Sequence, residues 1–341
     1  MGRLTRAGAD GRGGGGGGAA RRGALGLAGA TLLALGLNAG TWVHVAGGAT
    51  GAASLTATTR SQTGFSCATT PDNPRAGAPL SATASSEGVR ATLTGTAATE
   101  YGLPTVRNAM LEITDGGTAS STEPVTAPKE AGDVDLQSLA DDQSSNLTQP
   151  LCVVAFPGGA VPAVLLGFYT GGAHCCTIVR AYTRSGAGWT SVDHAIGDPG
   201  VVVTDVNGAP TIVTADDSFS YEFTDYAASG DPVEVLTVDH GRFSTITRKF
   251  PSLVRSDAAH WWATFRQNPQ DDLGVLAAWA ADRCELGQQA QVTATLSSLQ
   301  TRHKLGPNRS VTQSAPFWPS GSGYVTALTS FLVQHGYCPA R

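Results

Sequence analysis

Lysine is almost missing from this chain: 341 residues contain three, at Lys129, Lys249 and Lys304. Charge of any sign is sparse at 14%, and acids outnumber bases, 27 to 22, for a formal net charge of −5. Five of the basic side chains but only one acid lie in residues 1–49, leaving 17 bases against 26 acids, net −9, beyond them. An acidic chain with scattered arginines lacks the basic footprint that nucleic acid requires, so no nucleic-acid partner is expected. Aromatics make up 7% of the residues and methionine occurs twice. No Ser-His-Asp signature, phosphate-cradling loop or dinucleotide fingerprint is present, so no cofactor is expected. Cysteine is absent from the first 66 residues, and all six cysteines (Cys67, Cys152, Cys175, Cys176, Cys284 and Cys338) follow.

What stands at the N-terminus is a targeting pattern. A Gly/Arg-rich stretch ending in Arg21-Arg22 precedes the apolar run "ALGLAGATLLALGL" (Ala24 to Leu37) and then small residues. That is a signal peptide over residues 1–49, with cleavage sites near Ala49 or Ala53. Residues 23–59 are uncharged, which is also long enough for an N-terminal anchor of about 20 apolar residues. A membrane contact is expected only if that segment stays uncleaved. Either way the remaining chain is exported, extracellular or envelope-associated, and an even cysteine count there favours disulfides over free thiols.

Composition divides the rest. Residues 50–86 are rich in Ala, Thr, Ser, Gly and Pro without periodicity and read as a linker in which Cys67 is tied down. Residues 87–250 read as a β-rich repeat domain. "VRATLTG" (89–95) and "VRNAMLEIT" (106–114) alternate as strands do, while residues 115–149 read as a long polar surface loop. Then "VVAFPGGAVPAVLLGFYTGG" from Val153 is echoed by "VVTDVNGAPTIVTADDSFS" from Val202. Each copy is strand, turn, strand, followed by a hairpin with an aromatic after a glycine turn (Trp189, Phe243). The period of about 50 residues suits one four-stranded unit. Residues 251–341 read as helical: one helix capped at Ser256-Asp257, a second opening at Asp271-Asp272 and stopping at Gly287, then two more. The fold class is therefore α+β, a mostly antiparallel β body of blade-like or open meander repeats followed by a helical C-terminal section.

"VTDVNGAPTIV" (203–213) and, more weakly, "VAFPGGAVPAVL" resemble the FG-GAP or VCBS-like repeats of β-propeller proteins. "YTGGAHCC", "ADDSFSYEF" and "YAAS" are similar to segments of uncharacterised exported actinobacterial proteins. The resemblance implies export and a β architecture, and brings no activity. In the repeat families the turn holds calcium. Here Asp205 and Asn207 fit that pattern, but Ala209 stands where a third ligand belongs, and calcium takes 6–8 oxygens. Two units are also fewer than the roughly 4–8 blades that close a propeller.

The candidate chemistry is limited. His174, Cys175 and Cys176 are consecutive, and side chains on a strand alternate in direction, so they converge poorly on zinc. A cysteine nucleophile with His174 or His194 as base is disfavoured by an oxidising compartment. Two disulfide readings stand: Cys175 and Cys176 each staple a different one of the other four cysteines, or Cys67–Cys152 and Cys284–Cys338 form and leave a vicinal Cys175–Cys176 bond in the "TGGAH" turn, which is the set expected. Adjacent Cα atoms sit about 3.8 Å apart, under the usual disulfide span of roughly 4.4 Å and more. Asp216 and Asp217 in "TADDSFSYEF" are the candidate catalytic pair for a glycan-directed hydrolase, against a reading in which Phe219, Tyr221 and Phe223 are one buried strand face and the acids serve turns. Two functions follow: a non-catalytic binding or scaffold protein whose ligand is an extracellular molecule such as a cell-wall polymer or protein, or a secreted hydrolase. A deep acid-lined cleft favours the second.

Overall fold

The computed structural model describes residues 60–62, 64–71, 74–100, 103–116, 118–129, 131, 134–139, 147–172, 175–267, 272–306 and 318–340, all within one compact unit, Leu55–Arg341. The signal or anchor segment and His174 lie outside the described residues, as does the side chain of Cys175.

Three antiparallel sheets come first. Strands β1 (Arg60–Gln62), β2 (Phe65–Pro71), β3 (Pro79–Ser86), β4 (Val89–Glu100), β5 (Leu103–Asp115) and β6 (Thr118–Pro124) precede the repeats. The repeats supply β7 (Leu147–Val154), β8 (Ala163–Gly172), β9 (Cys175–Ser185), β10 (Gly188–Gly197), β11 (Val202–Val206), β12 (Ala209–Ala215), β13 (Val233–Asp239) and β14 (Arg242–Thr245). One sheet has the order β3-β4-β5-β6, a second β1-β2-β7-β8-β9-β10 and a third β11-β12-β13-β14. Both repeat copies are thus four-stranded meanders, and residues 79–124 form a third such meander whose kinship the sequence did not display.

Alternation along the middle sheet decides how the layers stack. Leu151, Val153, Leu166, Phe168 and Ile178 join Leu93, Leu111 and Ile113 of the β3–β6 sheet in one core. Their neighbours Cys152, Val154, Leu165, Val179 and Ala181 join Val203, Ile212 and Leu236 of the β11–β14 sheet in another. With both faces covered, residues 151–154 of β7 and 163–168 of β8 read as unbroken apolar runs rather than as a half-polar alternation.

The described residues of 50–86 are not a linker. They carry β1, β2 and β3, and in β3 Leu80, Ala82 and Ala84 are buried while Ser81 and Ser85 are exposed. The period of two is present, but Ala against Ser and Thr offers almost no hydropathy contrast. Nor is 115–149 only a surface loop. β6 occupies part of it, and residues 135–139 run beside β8, with Tyr169 N–H donating to Asp135 C=O at 3.0 Å and Gln137 N–H to Gly167 C=O at 3.0 Å. Leu139 is fully buried, donates to Gln149 C=O and accepts from Val203 N–H.

Four helices follow: α1 (Pro251–Phe265), α2 (Leu273–Glu285), α3 (Gln289–Thr301) and α4 (Gly321–Gln334). Proline at the first helical position starts α1 five residues before the expected Ser256-Asp257 cap, so Asp257 falls within the helix. The helices share a third core with Phe219 and Phe223. Among the described residues, no helix is long and apolar enough to cross a membrane.

Two disulfides pin the unit. Cys67–Cys152 joins directly paired residues of β2 and β7. Cys284–Cys338 ties α2 to the C-terminal residues, across 54 positions of sequence. On the loop-entropy account each is worth about 4–5 kcal/mol. Cys176 is also disulfide-bonded.

The β9–β10 hairpin carries a buried cation. Arg180 donates to both Asp193 carboxylate oxygens, at 2.5 and 2.7 Å, and to Thr126 C=O at 2.8 Å beyond β6. Its guanidinium lies over the Phe168 ring, 5.0 Å from the centroid. Arg180→Ala is expected to lower stability by about 2–4 kcal/mol, because the buried guanidinium is lost and Asp193 and the Thr126 carbonyl lose their partner. Arg180→Lys should recover less than half of that, since the planar fork is lost. Arg184→Ala, which removes a half-exposed pair with Asp115, should change stability by less than about 1 kcal/mol in the same urea titration.

Candidate functional site

The expected acidic site falls on residues 216–232, which connect β12 to β13. This segment is not a strand. It contains two short 3-10 turns, Asp217–Phe219 and Tyr226–Ala228. Phe219 and Phe223 are buried, but Tyr221 between them is 52% exposed, the one large hydrophobic side chain so exposed among the described residues. The Phe219 ring packs edge-on against Phe331 and Tyr337, and Phe223 against Tyr324 and Phe331. Spacing of two on a strand therefore misleads here: the same residues turn tightly enough for two rings to enter the helical core while the third is expelled.

Asp216 and Asp217 are committed to holding this shape. Asp216 Oδ1 accepts the Ser218 N–H at 2.9 Å, capping the first 3-10 turn, and its Oδ2 accepts the Tyr337 hydroxyl at 2.6 Å. Burial, then the facing Asp216 carboxylate, pushes the Tyr337 phenol up, so it stays a donor. Asp217 Oδ1 accepts the Asp198 N–H at 3.3 Å, and a Cβ at residue 197 would run into the Asp217 side chain. Asp225 accepts the Ala228 N–H at 3.2 Å and so caps the second turn.

Asp231, beside the expected pair, carries the unusual electrostatics. Asp231 is partly buried and its pKa is pushed up to about 7, first by desolvation, then by Asp217, Asp216 and Asp198 nearby; the Ser220 hydroxyl, donating at 3.3 Å, opposes the rise. Asp198 accepts the hydroxyl of Tyr226, and that hydrogen bond holds the Tyr226 phenol above its ordinary range. Both acids sit in the tripeptide Gly-Asp-Pro, at 197–199 and 230–232. That doublet was the readable signal, and it lies outside the aligned halves of the repeat.

Tyr221 is presented firmly. Its φ of 62° is left-handed, uncommon for an aromatic residue. Its N–H donates to Ser229 Oγ at 3.1 Å and its C=O accepts from the Trp318 indole at 2.9 Å. Its ring lies 5.6 Å from that of Tyr226.

The other candidates fall elsewhere. Asp205 Oδ1 accepts the Gly208 N–H at 2.7 Å, closing the β11–β12 turn, where Asn207 and Gly208 both take positive φ. That two-residue turn is the one Asn-Gly favours in a hairpin. His194 stacks on Phe243, with its pKa lowered by burial. Among the described residues, no group of three His, Cys, Asp or Glu side chains is placed to hold a metal ion. An open concavity lies at the end of α3 and the start of α4, lined by Gln300, His303, Ser320 and Ser322 among others, with no acid.

Comparisons with known proteins are modest. An uncharacterized protein of Sinorhizobium fredii is 30% identical over 139 residues, 39% of this chain and 22% of that protein. A "Probable thylakoid lumen protein" of Synechocystis is 27% identical over 198 residues, 53% of this chain and 58% of its own length. The chain thus spans well under two thirds of either relative. No family model and no solved structure matches it.

Three outcomes are expected. Asp205→Ala should lower the melting temperature by a few degrees, equivalent to about 1 kcal/mol for a lost turn hydrogen bond. Millimolar calcium should leave the melting temperatures of both proteins unchanged, since two side-chain ligands fall far short of a calcium shell. For Asp231, the folded pKa lies above the unfolded value, so its contribution is fully present below about pH 4 and is lost as the pH rises through about 7. The stability of Asp231→Asn relative to wild type should therefore rise between pH 4 and 7 and level off above. A constant difference in urea unfolding over that range would rule this out.

Proposed function

We propose that the protein is an exported, non-catalytic binding protein that engages a polymer of the cell envelope through the aromatic loop around Tyr221. One observation carries the reading: an exposed aromatic ring sits on a left-handed residue clamped by Ser229 and Trp318. Off-region backbone is retained where surrounding structure over-determines it, and such positions cluster at ligand clamps. A rigid tyrosine face suits stacking on a sugar ring while the hydroxyl end seeks polar partners. Asp216 and Asp217 support the non-catalytic side, because both carboxylate oxygens of Asp216 and Oδ1 of Asp217 are engaged within the fold. Export is supported by the N-terminal targeting pattern, by disulfide bonding, which belongs to oxidising compartments, and by the likeness to a probable thylakoid lumen protein of Synechocystis. Three antiparallel meanders, the middle one lying within a six-stranded sheet, support the likeness to FG-GAP and VCBS-type repeats.

A second reading has its own observation. Asp231, pushed up to about 7, carries a proton over much of the neutral range beside other carboxyls, which is the condition for a general acid. In that case the protein is a glycan-directed hydrolase, with Asp231 rather than Asp216 or Asp217 as proton donor.

Co-sedimentation of the full chain with insoluble cell-wall polysaccharide separates these readings. Wild type should pellet with it, Tyr221→Ala should bind roughly 5- to 10-fold more weakly, a loss on the scale of one stacked ring, and Asp217→Asn should bind like wild type. Equal binding by Tyr221→Ala removes the stacking site. Sugar release that disappears in Asp231→Asn replaces the binding reading with the hydrolase.

A further inference from the structure

The helical section buries a carboxyl pair that none of the chemistry above uses. Asp282 of α2 has 0% of its surface exposed, and neither of its carboxyl oxygens accepts a hydrogen bond from any donor among the described residues. An ionised carboxylate in that condition is among the most costly groups a protein can bury. Its hydrogen-bonding neighbour is Asp257 of α1, itself an acid. Asp257 is well supplied: its Oδ2 accepts the Val233 N–H at 2.8 Å and the Trp261 indole N–H at 2.9 Å. The two carboxyls can face each other without water only by sharing a proton, which Asp282 holds and donates to the Asp257 carboxylate.

The pair also sits where three elements meet. Asp257 grips the first residue of β13, and β13 is the continuation of residues 216–232. That loop lies directly on α2. A Cβ at Gly230 would come within 3.0 Å of Val275 Cα and 3.3 Å of the Trp261 ring, and one at Gly274 within 2.8 Å of the Ala228 carbonyl oxygen. Glycine at both places lets loop and helix backbones touch. The charged groups acting on the pair are His260 on α1 and Arg283 and Glu285 on α2; β13 contributes the Val233 amide.

We propose that Asp257 and Asp282 form a one-proton latch: with one proton between them α1 is clamped to α2 and to the start of β13, and losing that proton as the pH rises releases the clamp and loosens residues 216–232. The direction follows from the geometry. Two adjacent buried negative charges repel, and only one set of donors, Val233 and Trp261, is available to answer them. Burial pushes both carboxyls above the ordinary aspartate range, Asp282 well above it. The pair's contribution to stability is thus complete at acid pH and is lost as the pH climbs through its upper titration step. The loop that presents Tyr221 would be held in acid and neutral surroundings and freed in alkaline ones, whatever Tyr221 binds.

Two measurements on the full chain test this. Infrared spectroscopy at pH 7 should show protonated-carboxyl absorption of which Asp282→Asn removes one part and Asp231→Asn a separate part. Amide exchange, corrected for intrinsic rates, should show protection at Val233 and across 216–232 falling roughly tenfold or more from pH 6 to pH 9 in wild type, and by less than about twofold in Asp282→Asn, whose amide replaces the acid proton. Should Asp282→Asn fail to fold, Asp257→Asn serves, because it too leaves one carboxyl without a charged neighbour. The proposal is overturned by a wild-type spectrum without a buried protonated carboxyl, by wild-type protection that is flat with pH, or by a folded variant that keeps the wild-type slope.

Discussion

Burial of the middle sheet on both faces is the constraint from which the rest of the structure follows. Every second residue of β7, β8 and β9 must meet the β3–β6 sheet and every other one the β11–β14 sheet. Neither face can carry an unpaired polar group, so the charge of β7 to β10 is confined to the β9–β10 hairpin, where Arg180 satisfies its guanidinium on Asp193 and Thr126. Stacking of this kind uses up sheet faces as contacts between layers. What remains for a ligand is the loops, and the connection from β12 to β13 is one that carries aromatic and acidic residues together.

That connection is held from the C-terminal side. Cys338 is bonded to Cys284 of α2, Arg248 donates to Glu285 and to the carbonyls of Gly336 and Tyr337, and the Tyr337 hydroxyl reaches Asp216. The last residues of the chain thus brace a loop more than a hundred positions earlier. Phe219 and Phe223 complete the brace by inserting into the helical core. With its buried rings fixed on α4 and its carboxylates capping its own turns, the loop has little freedom to rearrange, and Tyr221 projects from a stiff base.

The scarcity of lysine has a structural consequence. Several partly or fully buried acids, namely Asp231, Glu234, Asp257, Asp282 and Glu285, have their pKa values pushed up, in each case first by desolvation. Among the described residues the ion pairs of the acids use arginine, at Arg180, Arg184 and Arg248, or the exposed His240. Where no cation is at hand, hydroxyls, amides and protons answer the carboxyls instead. The fold has in this way gathered acids with raised pKa values around the loop and helices, and these acids support it less as the pH rises.

Particular residues show how far the sequence could be read. Alternation in 89–95 and 106–114, the doubled strand–turn–strand segments and the four helical stretches were legible, because each is a local periodicity with strong apolar contrast. β3 was not, since Leu80, Ala82 and Ala84 differ too little from the Ser and Thr between them. The aromatic spacing of Phe219, Tyr221 and Phe223 suggested a strand, and only the tertiary core on α4 and Tyr337 turned it into 3-10 turns. The same holds for the acids. Sequence singled out Asp216 and Asp217 because adjacent carboxylates stand out in a line of text. Asp198, Asp231, Asp257 and Asp282 matter because folding brings positions 198 and 231, and 257 and 282, together, and desolvation acts only on what is packed. Local pattern therefore determined the strand and helix inventory and the acidic balance of this protein. Which acids keep a proton, and which aromatic ring faces the solvent, was decided by burial, a property of three-dimensional neighbours that no stretch of sequence contains.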